Sequence, residues 1–318
     1  MSRFIVPFSR RGLLSLVVIV VSVLGARADE LPGAFQNHLV ALERRYGGRI
    51  GLASLDSADG KGLEYRGAER FALCSTFKFL LVAGILARVD AKQETLDHRI
   101  SFGAADIVIN SPISEAHLKD GGMTIEALCA AAMEYGDNTA ANLLLKIVGG
   151  PPGVTAYIRS LGDSVGRVDR GEPTNNENRP NDVRDTTSPV AMLKTMRKIL
   201  TGNVLSRSSC KLLETFLLSN TTGGSCLRAG VPMKWLVGDR TGRGLNGATN
   251  DIAIMWLPEQ PPIFVVVFFS ESNADQADRE AVLAEVGRLV VAEFASEFPR
   301  ATAVTTKGEE VSPARSLR

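Results

Sequence analysis

Ser75 and Lys78 lie three residues apart, immediately before the apolar run Leu80-Leu81-Val82-Ala83-Gly84-Ile85-Leu86. Such a run reads as the body of a buried helix, and residues three apart share a helix face, so the spacing sets an ammonium over a hydroxyl in a first helical turn. First-turn N–H groups and the positive end of the helix dipole favour negative charge developing at that place. A weak nucleophile is activated by such surroundings. Three further segments hold polar residues where a packed chain gains little from them: Tyr135-Gly136-Asp137-Asn138, Arg170-Gly171-Glu172-Pro173-Thr174-Asn175-Asn176 and Asp239-Arg240-Thr241-Gly242. In the second of these, Glu172 and Asn176 offer a carboxylate opposite an amide, a pair able to hold a water and take its proton. An isolated Ser-x-x-Lys is more often a solvated helix start than a nucleophile; four segments together are far more specific.

The elements that must position these residues follow from periodicity and caps. A helix is expected over residues 31–46, with Pro32 tolerated in its first turn and Gly47-Gly48 ending it. A strand over 49–56 follows, turned by Asp59-Gly60-Lys61-Gly62 into 63–66. The middle of the chain reads as helices over 76–91, 124–134 with Thr124 as cap, 138–148, 154–161, 189–201 and 206–220. Residues 162–187 form a long polar stretch without helix or strand periodicity, and a loop of that length in a compact domain is usually either functional or disordered. Strands resume over 235–237, 252–257 and 263–269, the last apolar throughout, as a strand covered on both faces would be. A final helix spans about 275–298. The fold class expected is α/β plus all-α: a sheet lobe built from both chain termini with flanking helices, an inserted helical lobe, and the active site in the seam.

With the motifs set in that order, the chain resembles the class A serine β-lactamases from about residue 31 to 298. The resemblance implies that Ser75 attacks a lactam carbonyl to form an acyl-enzyme, that Lys78 and Glu172 share the proton work of acylation, and that Glu172 with Asn176 activates the deacylating water. It implies an oxyanion hole of the Ser75 and Arg243 backbone N–H groups. Asn138 would contact the substrate's side-chain amide. Thr241, beside Gly242, and an arginine would take its carboxylate, with Arg240, Arg243 and Arg228 all candidates. Asp137 is assigned to capping or bridging backbone groups between helices. Arg170 and Asp185 resemble the ion pair that closes the neck of the family's omega-shaped loop.

Four positions depart from the family pattern. Gly136 stands where a serine is usual, Arg240 where a lysine is, Asn110 where an aromatic gatekeeper is frequent, and Val82 where the usual disulfide partner of Cys129 would be. The missing serine hydroxyl normally relays a proton to the leaving nitrogen, and general-acid help of that kind is worth about 10²–10⁴ in rate. Gly136 and Arg240 are expected to form a coupled pair, with a longer cation filling the space of the lost side chain. Reduced turnover and weaker inactivation by clavulanate-type inhibitors would follow. Two competing readings are a penicillin-binding transpeptidase or carboxypeptidase, which Glu172 and Asn176 argue against, and a non-hydrolytic sensor, which the lack of an anchor argues against.

Of 318 residues, 36 are Lys or Arg and 35 Asp or Glu, for a net charge of +1. No basic surplus exists to hold a phosphate backbone, so nucleic acid is not an expected partner. His38, His98 and His117 are scattered and the cysteine spacings match no zinc pattern, so no metal and no cofactor are expected. Cys74, Cys129, Cys210 and Cys226 allow three complete disulfide connectivities, among which the sequence does not choose. The expected partner is a small β-lactam acting on a monomer.

Arg3, Arg10 and Arg11, the apolar stretch 13–24 and Ala26-Arg27-Ala28 form a secretory signal. The layout is then a signal peptide over 1–28, a single catalytic domain over 29–298 with a sheet lobe of about 29–70 and 221–298 and a helical lobe of about 71–220, and a disordered tail over 299–318. The mature protein is expected in the periplasm or secreted, without a membrane anchor. Ser9-Arg10-Arg11 also resembles the twin-arginine motif, leaving that route and the ordinary secretory one open. N-terminal sequencing of the exported protein should begin at Asp29; a mature chain that starts elsewhere refutes the cleavage site.

Overall fold

The computed structural model describes residues 33–295; the signal segment, Pro32 and the 299–318 tail lie outside the described residues. Helix α1 (Ala34–Tyr46) leads into strand β1 (Gly47–Asp56) and β2 (Gly62–Tyr65). After β3 (Phe71–Ala72) comes α2 (Phe77–Asp90), then β4 (Arg99–Ser101), α3 (Pro112–Ala116), β5 (Gly122–Thr124), α4 (Ile125–Glu134), α5 (Asn138–Ile147) and α6 (Pro151–Ser160). The long loop then ends in β6 (Thr186–Thr187), followed by α7 (Pro189–Thr201) and α8 (Arg207–Leu218). The chain closes with β7 (Leu236–Arg243), β8 (Thr249–Trp256), β9 (Ile263–Ser272) and α9 (Gln276–Ala295).

The main sheet is antiparallel in the order β2-β1-β9-β8-β7, so the first and last parts of the chain meet at β1 and β9. Strand β9 is covered on both faces. Phe264, Val266 and Phe268 point into the core of the helical lobe with Ile252 and Ile254. Val265, Val267 and Phe269 alternate with them and pack with Phe35 and Leu39 of α1 and Val282, Val286 and Val290 of α9. This period-two division of one apolar strand is what joins the two lobes.

The inserted lobe is helical, and α2 is its centre, buried from Phe77 to Leu86 without an exposed face. Thr124 caps α4 by accepting the Ala127 N–H. Helix α6 starts earlier than periodicity suggested, because Pro151 and Pro152 occupy the first turn, where a missing N–H costs nothing. The pairs β3–β6 and β4–β5, and the short α3, were not anticipated; with two to five residues each they leave no period to read.

Two features fix the segment just before Ser75. Asn250 on β8 is fully buried and donates from Nδ2 to the carbonyls of Ala72, at 2.8 Å, and Leu73, at 3.3 Å. On β7, Gly242 lies so close that a Cβ there would stand 3.0 Å from the Leu73 carbonyl oxygen and 3.1 Å from the Ser75 nitrogen. Only a residue without a side chain lets this strand run beside that backbone.

Candidate active site

Ser75 lies on a 3-10 turn, Cys74–Thr76, that runs directly into α2, rather than inside the α-helix itself. Lys78 is then in the first turn of α2, and the three-residue spacing still superposes the two side chains. Lys78 Nζ donates to Ser75 Oγ at 3.0 Å, and Ser75 Oγ donates to Glu172 Oε1, also at 3.0 Å. Lys78 Nζ is 2.9 Å from the same Glu172 oxygen, so hydroxyl, ammonium and carboxylate form a closed triangle. The ammonium, with no solvent exposure, completes its shell with the Gly136 carbonyl at 2.8 Å and Asn138 Oδ1 at 2.7 Å.

The turn between α4 and α5 supplies those last two oxygens. Asp137, fully buried, caps α5 through the Ala140 N–H at 2.8 Å and also accepts from the Ile113 and Ser114 backbone and the Ser114 hydroxyl. It therefore ties α3 to the start of α5 and sets the direction of the turn. Asn138 Nδ2 donates to the Ile109 carbonyl, and its backbone N–H to that of Asn110, a residue held at φ +62°.

Glu172 comes from the long loop. Arg170 Nε donates to Asp185 Oδ2 at 2.6 Å, and Asp185 Oδ1 accepts the N–H groups of Asp169 and Arg170. With Asp185 buried and backbone donors in the same cluster, this is no solvated surface pair. Asn142 of α5 holds the Glu172 backbone on both sides, donating to its carbonyl at 2.8 Å and accepting its N–H at 2.9 Å. Asn176 Nδ2 donates to Glu172 Oε2.

The fourth segment lies inside β7, which runs to Arg243, well beyond residue 237, where the sequence pattern ends that strand. Arg240 is 1% exposed, and its guanidinium lies against Gly136: a Cβ on Gly136 would be 3.1 Å from Arg240 Nη2. Gly136 is also held at φ +74°, a conformation that any side chain strains. Of the three candidate arginines, Arg228 is engaged with Asp239 and Arg240 is buried. Arg243 reaches Thr241 Oγ1 at 3.2 Å, is braced by Glu280 of α9 at 2.7 Å, and lines a cleft of about 670 Å³ with Asn110, Asn138, Asn176 and Leu245.

Burial, reinforced by the charge of Arg240, lowers the Lys78 ammonium to about 8, although Glu172 pulls the other way. Burial alone would raise the Glu172 carboxyl, but the Lys78 charge and hydrogen bonds from Lys78, Ser75 and Asn176 outweigh it and hold Glu172 below its ordinary value. Burial likewise lowers Arg240 to about 10, less basic than an arginine is expected to be yet charged at neutral pH. The resting triangle is thus an ammonium, a carboxylate and a neutral hydroxyl whose proton already points at the carboxylate. All four cysteines are free, and Val82 and Cys129 share the helical core. Among the described residues no group of side chains could hold a metal ion.

Asn142, Glu280 and Thr222, the last bonded to both Arg240 and Thr241, were not singled out from sequence. Each belongs to no motif, and each acts across a distance along the chain that only the fold closes.

A model described as the β-lactamase enzyme family matches residues 34–294. The β-lactamase OXY-2 of Klebsiella oxytoca is 44% identical over 257 residues, 81% of this chain and 88% of its own. The β-lactamase Toho-1 of Escherichia coli is 40% identical over 286 residues, 90% of this chain and 98% of its own. A solved structure of the last common ancestor of Gram-negative bacteria β-lactamase class A aligns with TM-score 0.81 and 54% identity, covering 82% of this chain and 99% of that one.

Proposed function

Because the chain belongs to the class A serine β-lactamases, enzymes that hydrolyse the β-lactam amide and so give antibiotic resistance, we propose how its own residues divide that reaction. The observation that carries the reading is the position of Ser75 Oγ, 3.0 Å from both Lys78 Nζ and Glu172 Oε1. As Ser75 attacks the lactam carbonyl, its proton passes to Glu172, while the Lys78 ammonium stabilises the oxygen that loses it. The backbone N–H groups of Ser75 and Arg243 receive the developing oxyanion. Thr241 and Arg243 take the substrate carboxylate, with Arg240 supplying field from behind, and Asn138 takes the side-chain amide. Breaking the C–N bond needs a proton on nitrogen. Gly136 has no side chain to give one, so an ordered water delivers it and is reprotonated by Glu172, which returns the proton taken from Ser75 and is a carboxylate again before deacylation. Glu172, with Asn176 beside it, then removes a proton from the water that cleaves the ester. The enzyme works as an exported, periplasmic monomer.

In Glu172→Ala, Lys78 remains beside Ser75 to support some acylation, but no other base faces the ester. Intact-protein mass spectrometry after mixing with a penicillin should show an adduct that persists, with deacylation down by at least about 10²-fold. Turnover equal to wild type would remove Glu172 from the role.

Gly136 and Arg240 act as a unit in this reading, with turnover and clavulanate-type inactivation both below the family's usual level. Gly136→Ser meets the guanidinium and the positive φ together; Arg240→Lys removes only the first obstacle. The double variant should therefore acylate faster than the sum of the single effects allows, by about 0.5 kcal/mol or more. Strict additivity in a double-mutant cycle on the acylation rate would dissolve the pair.

A further inference from the structure

Thr222 lies in the turn after α8 and makes contacts out of proportion to its size. Its hydroxyl accepts from Arg240 Nη1 at 3.2 Å, lies 2.5 Å from Thr241 Oγ1, and is 2.8 Å from Asn220 Oδ1. Its carbonyl accepts from Arg243 Nη2 at 3.0 Å, and its N–H donates to Asn220 Oδ1 at 3.1 Å. Among the described residues Arg240 has no carboxylate within ion-pair distance and its Nε is buried without a partner, so Thr222 Oγ1 is the acceptor that fixes this guanidinium.

A hydroxyl has one proton and two lone pairs. With Arg240 Nη1 occupying one lone pair, the Thr222 proton goes either to Asn220 or to Thr241. Given to Asn220, it obliges Thr241 to donate its own proton back to Thr222, so that an anion arriving at Thr241 meets only lone pairs. Given to Thr241, it leaves the Thr241 proton free for that anion, while Arg243 Nη1 occupies the other Thr241 lone pair. The two arrangements differ by rotation of two hydroxyls, and the second also lets Thr222 Oγ1 and Asn220 Oδ1 draw apart from their 2.8 Å contact, since no proton then lies between them.

We infer that Thr222 is a positioning residue for the substrate carboxylate: its hydroxyl fixes Arg240 and, by turning its proton from Asn220 to Thr241, releases the Thr241 hydroxyl to donate to the bound anion. The inference rests on the β-lactam reading above. It assigns to Thr222 a part of carboxylate recognition and no part in the later hydrolysis of the ester.

Steady-state kinetics of Thr222→Val, Thr222→Ala and Thr222→Ser with a penicillin and with its carboxylate methyl ester test it. For the free acid, Val and Ala should each lower kcat/KM about tenfold, the equivalent of one lost hydrogen bond to a charged group, and leave kcat within about twofold. Ser, which keeps the hydroxyl, should stay within about twofold of wild type on both parameters. On the ester, wild type and Thr222→Val should be equally poor, since the group Thr222 serves is gone. Equal losses on acid and ester, failure of Ser to rescue, or no loss in Val would overturn the inference. Absence of any turnover of the free acid by wild type would instead overturn the underlying reading, and this inference with it.

Discussion

The buried ammonium of Lys78 is the constraint on which the rest of the site depends. A charge without solvent exposure is tolerated only when paired and fully hydrogen-bonded. The fold meets that demand from four directions: Ser75 from the 3-10 turn, the Gly136 carbonyl and Asn138 from the α4–α5 turn, and Glu172 from the long loop. Each supporting arrangement exists to hold one of these oxygens in place. Asp137 directs the turn, Asn142 and the Arg170–Asp185 pair hold the loop, and Asn250 with Gly242 presses the Ser75 backbone against the sheet.

A second buried cation complicates the field. Arg240 lowers the basicity of Lys78 and is itself lowered by burial, and both draw on Glu172 for compensation. Its planar guanidinium covers Gly136, which at φ +74° presents only a backbone surface. The two departures from the family pattern therefore fit each other sterically. At the other end of the cleft Glu280 holds Arg243 from α9, while Arg228 is taken up by Asp239.

What was legible in the sequence was local. The four polar segments are contiguous, so their residues could be named from order and spacing, and strand β9 and helix α4 announced themselves by apolar content and a threonine cap. A three-residue spacing fits α and 3-10 geometry alike, so the sequence alone does not distinguish an α-helical turn at Ser75 from the 3-10 turn the structure has there. Asn142, Thr222 and Glu280 were missed for a different reason. An asparagine on a helix, a threonine in a turn and a glutamate in the second turn of a helix have ordinary local explanations, and only tertiary contact shows what each one holds. The three candidate arginines differ in their partners and burial, which their positions in the chain do not reveal.

The central claim is that the resting site holds Lys78 charged and Glu172 ionised, with the Ser75 proton destined for Glu172. The pH dependence of the pre-steady-state acylation rate tests this most directly. With Glu172 held below its ordinary value and Lys78 lowered to about 8, acylation should be on a plateau at neutral pH and fall as pH rises through about 8 and the ammonium loses its proton. A rate that instead climbs through that range to an alkaline plateau would make neutral Lys78 the base and contradict the account.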